Sequence, residues 1–375
     1  MRPVELPLPD PQALAASRAL LSRIAAELGA SGNWISFARY IELALHEPGL
    51  GYYAAGARKL GAGGDFVTAP ELSPLFARTL ARQIGELLEP GDAVLEFGAG
   101  SGLLAEVLLT ELEGVKYEIL ETSPELRERQ QQRLGNRVQW LDRLPQKFRG
   151  VMLANEVADA MPVHALAWTR DGIRERGVCA NEGQLAWSDR AAQGAVLAAA
   201  REIDVAIPPS GRYESELALF ARAWMRSLGR FLERGAILVI DYGFPGHEFF
   251  HPQRSMGTLA CHYRHHVHGD PFFVPGLQDI TAHVDFSALG RAAAEAGLKV
   301  LGYASQAQFL VNCGITDLLA EENPADAKRY LPAAAAAQKL LSPAEMGELF
   351  KVLAVGRGID APLLGFSSGD RSHAL

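Results

Sequence analysis

Cysteine is scarce in this chain: Cys179, Cys261 and Cys313 are the only three among 375 residues. They lie far apart, with no Cys-x-x-Cys pair, which argues against a disulfide framework or a paired-cysteine redox or metal motif and fits a reducing cytoplasm. Basic charge is also in deficit, 36 Lys and Arg against 44 Asp and Glu, for a net charge of −8. No broad positive field is available to hold a phosphate backbone, so nucleic acid is not an expected partner. No apolar run approaches the roughly 18 residues that a membrane span needs. Met1 to Pro11 lacks the basic-then-apolar order of a signal peptide, so export is not expected and a cytoplasmic location is. What is present, 48% hydrophobic and 21% charged residues, is the composition of a globular protein long enough for one large α/β domain with additions.

The order of elements sharpens that reading. Residues 12–29 and 36–46 have helical periodicity, with Ser36 a suitable N-cap, and together they predict a helical cover. A glycine-rich connection follows through Gly61-Ala-Gly-Gly-Asp-Phe-Val-Thr68, a backbone free enough to approach a ligand closely. Ser73-Pro74 then opens a helix to about Leu88. From Asp92 onward short apolar strands alternate with amphipathic helices: strands at 93–97, 116–121, 138–141, 151–155, 236–241, 298–304 and 350–356. This rhythm predicts a seven-stranded, doubly wound, Rossmann-like α/β sheet with right-handed crossovers. Turn signals at Asp171-Gly172 and Asn181-Glu-Gly183 predict inserted antiparallel strands over about 165–190. A helix is expected over 214–232. A second insertion over about 243–283, rich in Gly, Pro and His, is long enough to suggest a functional lid. The expected division is therefore an N-terminal cover and lid over 1–90, a catalytic domain over 91–358, and a disordered tail over 359–375.

The most informative segment is Glu96-Phe-Gly98-Ala-Gly100-Ser-Gly102. A strand that runs into glycines at alternate positions and then a helix lets backbone N–H groups and a helix N-terminus face a ligand. A dinucleotide fingerprint needs its third glycine at position 103, where this chain has leucine. The tighter Gly-x-Gly-x-Gly turn is that of class I methyltransferases, which bind S-adenosylmethionine; an ordinary strand-to-helix turn is the competing reading. Glu121 ends the next strand about 20 residues on, where doubly wound folds grip a ribose. Asp142 follows the third strand, either near an adenine amino group or as a solvated turn residue.

Five stretches carry a resemblance: Gly64-Asp-Phe-Val-Thr-Ala-Pro-Glu71, Leu95 to Gly102, Ala154-Asn-Glu-Val-Ala-Asp-Ala-Met-Pro-Val-His164, Asp241-Tyr-Gly and Asp285-Phe-Ser287. In these the chain resembles the MidA-like methyltransferases, which include the mitochondrial assembly factor of respiratory complex I. Met161 stands where the family has leucine, and Val157-Ala158 replaces a more usual aromatic pair. The resemblance implies S-adenosylmethionine as cofactor. For the mitochondrial relatives it implies symmetric dimethylation of an arginine in a complex I subunit, which makes a protein substrate of that kind the expected partner.

Methyl transfer from a sulfonium is an in-line displacement that needs alignment and dryness more than acid–base machinery. A guanidinium acceptor adds one demand, a carboxylate to orient a group whose pKa exceeds about 12. Glu156, at the carboxyl edge of the sheet, is the candidate. Asn155 beside it offers a carbonyl, to substrate or to cofactor. Asp159 either shares the face of Glu156 or stabilises a helix start through the helix dipole. Thr68 and Glu71 are candidates for the methionine end of the cofactor, unless Pro70-Glu71 only open a helix. Glu96, Gly98, Gly100, Gly102, Glu121 and Asp142 complete the expected cofactor set. The histidines His262, His265, His266 and His268 beside Cys261 lack a second ligand cluster, so no metal is expected there and lid contacts to substrate are. Asp285 is expected to cap a helix or to meet a substrate cation. A small-molecule methyltransferase and a non-catalytic cofactor-binding assembly factor remain alternatives.

Overall fold

The structure, a computed structural model, describes residues 6–55 and 68–375. The glycine-rich segment expected to fold over the cofactor falls on Gly61 to Val67, outside the described residues.

The body is one large mixed sheet. Its strands are β1 (Ala93–Phe97), β2 (Lys116–Leu120), β3 (Gln139–Leu141), β4 (Phe148–Asn155), β5 (Leu232–Phe244), β6 (Val284–Asp285), β7 (Lys299–Ser305) and β8 (Phe350–Arg357). The order is β7-β8-β5-β4-β1-β2-β3, with β6 beside the end of β5. From β5 to β3 neighbours run parallel, whereas β8 is antiparallel to both β5 and β7. The sheet therefore has eight strands where seven were expected, the short Val284–Asp285 strand being too brief at two residues to leave a periodic signal.

Both faces of the sheet are covered, and side-chain alternation along the strands explains how. In β1, Val94 packs with the helices Pro74–Leu87 and Leu103–Glu111, whereas Ala93, Leu95 and Phe97 face the helices Leu219–Phe231 and Phe286–Glu295. In β5, Ala236, Leu238 and Ile240 take the first side and Ile237 and Val239 the second. Burial on both faces requires continuous apolar runs, and each fully buried Leu, Ile or Val contributes about 1.5–3 kcal/mol.

The insertion is a second sheet of five strands, running Ile35–Ser36, Gly172–Asn181, His164–Thr169, Arg212–Leu217, with Gln184–Ala191 on the Gly172–Asn181 strand. Residues 214–217, expected as helix, belong to the Arg212–Leu217 strand, and the helix begins only at Leu219. The reason is pairing: Glu214 meets Arg176, and Glu216 accepts N–H and O–H from Thr258 at 2.9 Å, so a strand sets each of the alternate acids against a partner. Helices Pro11–Ala30 and Phe37–His46, capped by Asp10 and Ser36, share a core cluster with this sheet through Leu20, Phe37, Tyr40 and Val178. The 243–283 insertion carries a three-stranded sheet, His266–His268, Ala260–Tyr263, Asp279–Thr281.

The tail departs from the expectation of disorder. Leu363 and Phe366 are buried, Phe366 packs edge-on against Phe309, and Asp370 accepts the Tyr303 N–H at 3.0 Å. Isolated apolar residues in a polar tail give no periodic signal, yet they fill a groove beside β7. Among the described residues no helix is long and apolar enough to cross a membrane.

Candidate active site

A cavity of about 660 Å³ opens at the carboxyl ends of β1, β2, β4 and β5. This is where strand order reverses between β4 and β1, the switch point at which doubly wound sheets bind ligands.

One end of the cavity is built by the glycine turn. Gly98, Gly100 and Gly102 have φ of +58°, +55° and +78°, the left-handed region that only glycine enters freely. The turn is tied to its neighbours. Gln130 donates to the Gly100 carbonyl and to Glu121 Oε2, both at 3.0 Å, and accepts from Trp140. Glu121, which also accepts the Ser123 N–H, lines the cavity with Thr122 and Leu126. Burial raises its pKa, opposed by those donors. Glu96 lies on the floor, where Tyr117 donates to it at 2.8 Å and burial pushes its carboxyl up to about 8. Thr68 and Glu71 enter from the N-terminal segment, with Glu71 accepting the Ser101 hydroxyl. An acceptor at the end of β2, a glycine turn with room for a close approach, and apolar walls from Leu104, Leu126 and Val157 fit an adenosyl group bearing a ribose diol.

Asp142 does not join this set. Its side chain is 82% exposed, pairs with Arg127 at 2.5 Å, and lies outside the cavity lining, so the solvated-turn alternative is the one observed.

The other end is acidic. Glu156 follows β4 with φ of +55°, rare for a residue with a side chain, and its N–H bonds the Ile240 carbonyl at 2.9 Å. Glu156 Oε1 accepts the Ala69 N–H at 3.3 Å and Asn155 Nδ2 at 3.2 Å. Burial and then the Asp159 charge push its carboxyl up to about 8. Asp159, raised by burial to about 6, accepts the Tyr242 hydroxyl at 2.5 Å through Oδ2, while its Oδ1 has no partner. Asn155 Oδ1 is likewise buried and unpartnered. Orphaned acceptors are costly unless something donates to them.

Sequence reasoning did not single out several residues that build the site. Asp241, fully buried at the end of β5, accepts the N–H groups of Ala158, Asp159 and Tyr242 at 2.9, 3.2 and 2.9 Å, fastening the loop that carries Glu156 and Asp159. Its presence in the Asp241-Tyr-Gly stretch was the available signal. Asp279, bonded by Tyr53 at 2.9 Å, and His46, Thr281 and His283 reach the cavity from other segments, with no local motif to announce them, whereas His262, expected as a lid contact, lines the cavity too. His283 is held neutral, its pKa lowered to about 4 by burial and then by Arg254 and Lys351. Asp285 caps the helix Phe286–Glu295 by accepting the Ala288 N–H at 2.9 Å and is not a lining residue. His265, His266 and His268 are not lining residues either, and the described residues include no group of three or more His, Cys, Asp or Glu placed to hold a metal ion.

A family model for S-adenosyl-L-methionine-dependent methyltransferases matches residues 75–304. The chain belongs to that family. Over 99% of its length this methyltransferase is 52% identical to a protein from Burkholderia thailandensis solved bound to S-adenosyl-homocysteine, with a TM-score of 0.94 and all of that chain covered. Its cofactor is therefore S-adenosylmethionine. Among curated proteins, the methyltransferase is 30% identical to Protein arginine methyltransferase NDUFAF7, mitochondrial, of Danio rerio, across 90% of this chain and 87% of the relative. It is 29% identical to the Homo sapiens protein of the same name, across 86% and 80%.

Proposed function

We propose that this methyltransferase acts on the guanidinium of a protein arginine. The observation that carries the reading is the charge of the cavity. Glu71, Glu96, Glu121, Glu156, Asp159 and Asp279 line it, and among the described residues no Lys or Arg does. Burial raises the pKa of Glu96, Glu121, Glu156 and Asp159, and neighbouring carboxylates add to the rise at Glu96 and Glu156; such groups are short of counter-charge, and a cationic substrate supplies it. The names of the curated relatives point the same way.

The roles follow from position. S-adenosylmethionine, when bound, supplies an electrophilic methyl on a sulfonium. The Gly98–Gly102 turn, Glu121, Thr68 and Glu71 would hold it. Glu156, fixed by Ala69 and Asn155, accepts N–H bonds from the guanidinium and orients the attacking nitrogen. Asn155 Oδ1 gives a further acceptor. Met161, Leu349 and Phe350 border the cavity with apolar surface that excludes water.

The test incubates the purified enzyme with methyl-labelled S-adenosylmethionine and lysate from a strain that lacks it, then hydrolyses the labelled polypeptide. The expected result is label in methylarginine on a discrete protein, a respiratory complex I subunit being the expected one. Label in small molecules alone, or none despite cofactor binding, would replace the proposal with a small-molecule activity or with a non-catalytic role in assembly.

A further inference from the structure

Methylation of a guanidinium must release a proton, and two carboxylates stand at the acidic end of the cavity to divide the work. We propose that Glu156 orients the guanidinium and that Asp159, held by Tyr242 and by the Asp241 staple, takes the proton. The inference rests on the arginine reading above and adds the identity of the proton acceptor.

Geometry separates the two groups. Glu156 Oε1 already accepts two N–H groups, one from the backbone of Ala69 and one from Asn155. Both donors hold its direction and oppose the rise that burial imposes on its carboxyl. Asp159 differs. Its Oδ2 takes the Tyr242 hydroxyl, its Oδ1 is buried with no partner, and that open oxygen is where a new proton can settle. The backbone of Asp159 is immobilised from both sides. Its N–H bonds Asp241 Oδ2, and its carbonyl accepts the Ala282 N–H at 3.1 Å. A general base must be held in place, and the backbone of this residue is.

The charge balance is complete. The nitrogen lone pair forms the N–C bond as the C–S bond breaks, and the C–S pair goes to sulfur. One N–H bond of the substituted nitrogen then breaks, with its proton going to Asp159 Oδ1. Methylguanidinium leaves as a cation, and Asp159 is left neutral until it returns the proton to water.

The groups that face Asp159 also suit the task. Glu156 on the same loop, with Asp241 and Asp279 from two other segments, puts only carboxyl groups and, among the described residues, no cation beside it, and Tyr53 and Tyr242 are neutral hydroxyls. His46 and His283 have pKa values lowered by burial, so neither brings a cation at neutral pH. Burial places the Asp159 carboxyl at about 6, between a carboxylate too weak to accept and one permanently protonated.

The experiment pairs Asp159→Asn with Glu156→Gln and Tyr242→Phe, using the arginine-bearing polypeptide that the wild-type enzyme labels. Asp159→Asn is expected to lower kcat by about 100-fold with KM little changed, whereas Glu156→Gln raises KM. A carbon-13 titration of the Asp carboxyls in the enzyme bound to S-adenosyl-homocysteine gives a readout apart from turnover. One signal is expected to titrate near pH 6, to vanish in Asp159→Asn, and to move to higher pH in Tyr242→Phe, because the lost hydroxyl had favoured the anion. Unchanged kcat in Asp159→Asn, with methylarginine still the wild-type product, would overturn the acceptor role alone. Absence of methylarginine from the wild-type product would overturn it together with the arginine reading.

Discussion

Glu156 occupies a left-handed backbone conformation that strains any residue with a side chain, and the hydrogen bond from its N–H to Ile240 holds it there. Strain of this kind, of order 1–3 kcal/mol, persists where the surroundings over-determine it and clusters at functional sites. It turns the chain back at the end of β4, so that consecutive residues Asn155 and Glu156 both reach the cavity. Its carboxyl also couples to stability. With the folded pKa raised to about 8, the native state keeps the proton longer than the unfolded chain does. The stabilisation from this group is full below the ordinary carboxylate range and is lost as pH rises through about 8. Glu156→Gln is therefore expected to raise the melting temperature of the ligand-free enzyme at pH 8.5 and to leave it nearly unchanged at pH 5, as scanning calorimetry at the two pH values would record. A variant equally destabilised at both would show that Glu156 serves the fold through its hydrogen bonds alone.

At the scale of elements, legibility followed the kind of physics involved. The strands of the large sheet could be read from sequence because burial on both faces demands uninterrupted apolar runs such as Ala236 to Ile240. Arg212–Leu217 could not, because its acids are bonded by partners distant in sequence, Glu214 by Arg176 and Glu216 by Thr258. The tail was unread for a related reason. Phe366 is buried only because Phe309 and Gly302 leave a slot for it, the Gly302 position lying so close that a Cβ there would meet the ring at 2.2 Å. Phe366→Ala is expected to destabilise the protein by about 3 kcal/mol, measured by urea unfolding, with cofactor affinity unchanged because the tail does not line the cavity. Loss of less than about 1 kcal/mol, the level of a surface substitution, would mean that the tail does not belong to the folding unit.

Across the whole molecule the two ends of the site were unequally legible. The cofactor end is local: a strand, three glycines and a helix within one segment, with Glu121 one strand further on. The acceptor end is assembled from Tyr53, Asn155 to Asp159, Asp241-Tyr242 and Asp279 to His283, which only the packing of the insertions on the sheet edge brings together. Glu156, Asn155 and Asp159 could be named because they follow a strand end directly. Asp241 and Asp279 needed the fold, and Asp142 was misplaced because position at a strand end does not settle where a turn directs its side chain. Recognition of the substrate turns on the acidic end, and the most direct measurement is kcat/KM for the labelled polypeptide in wild-type enzyme and Glu156→Gln, with the affinity for S-adenosyl-homocysteine measured in both. A hydrogen-bonded charge pair is worth about 1.5–3 kcal/mol, so the expected loss is on the order of 10- to 100-fold in kcat/KM, with cofactor affinity preserved. Equal kcat/KM in the two enzymes would contradict the claim that this carboxylate grips the substrate.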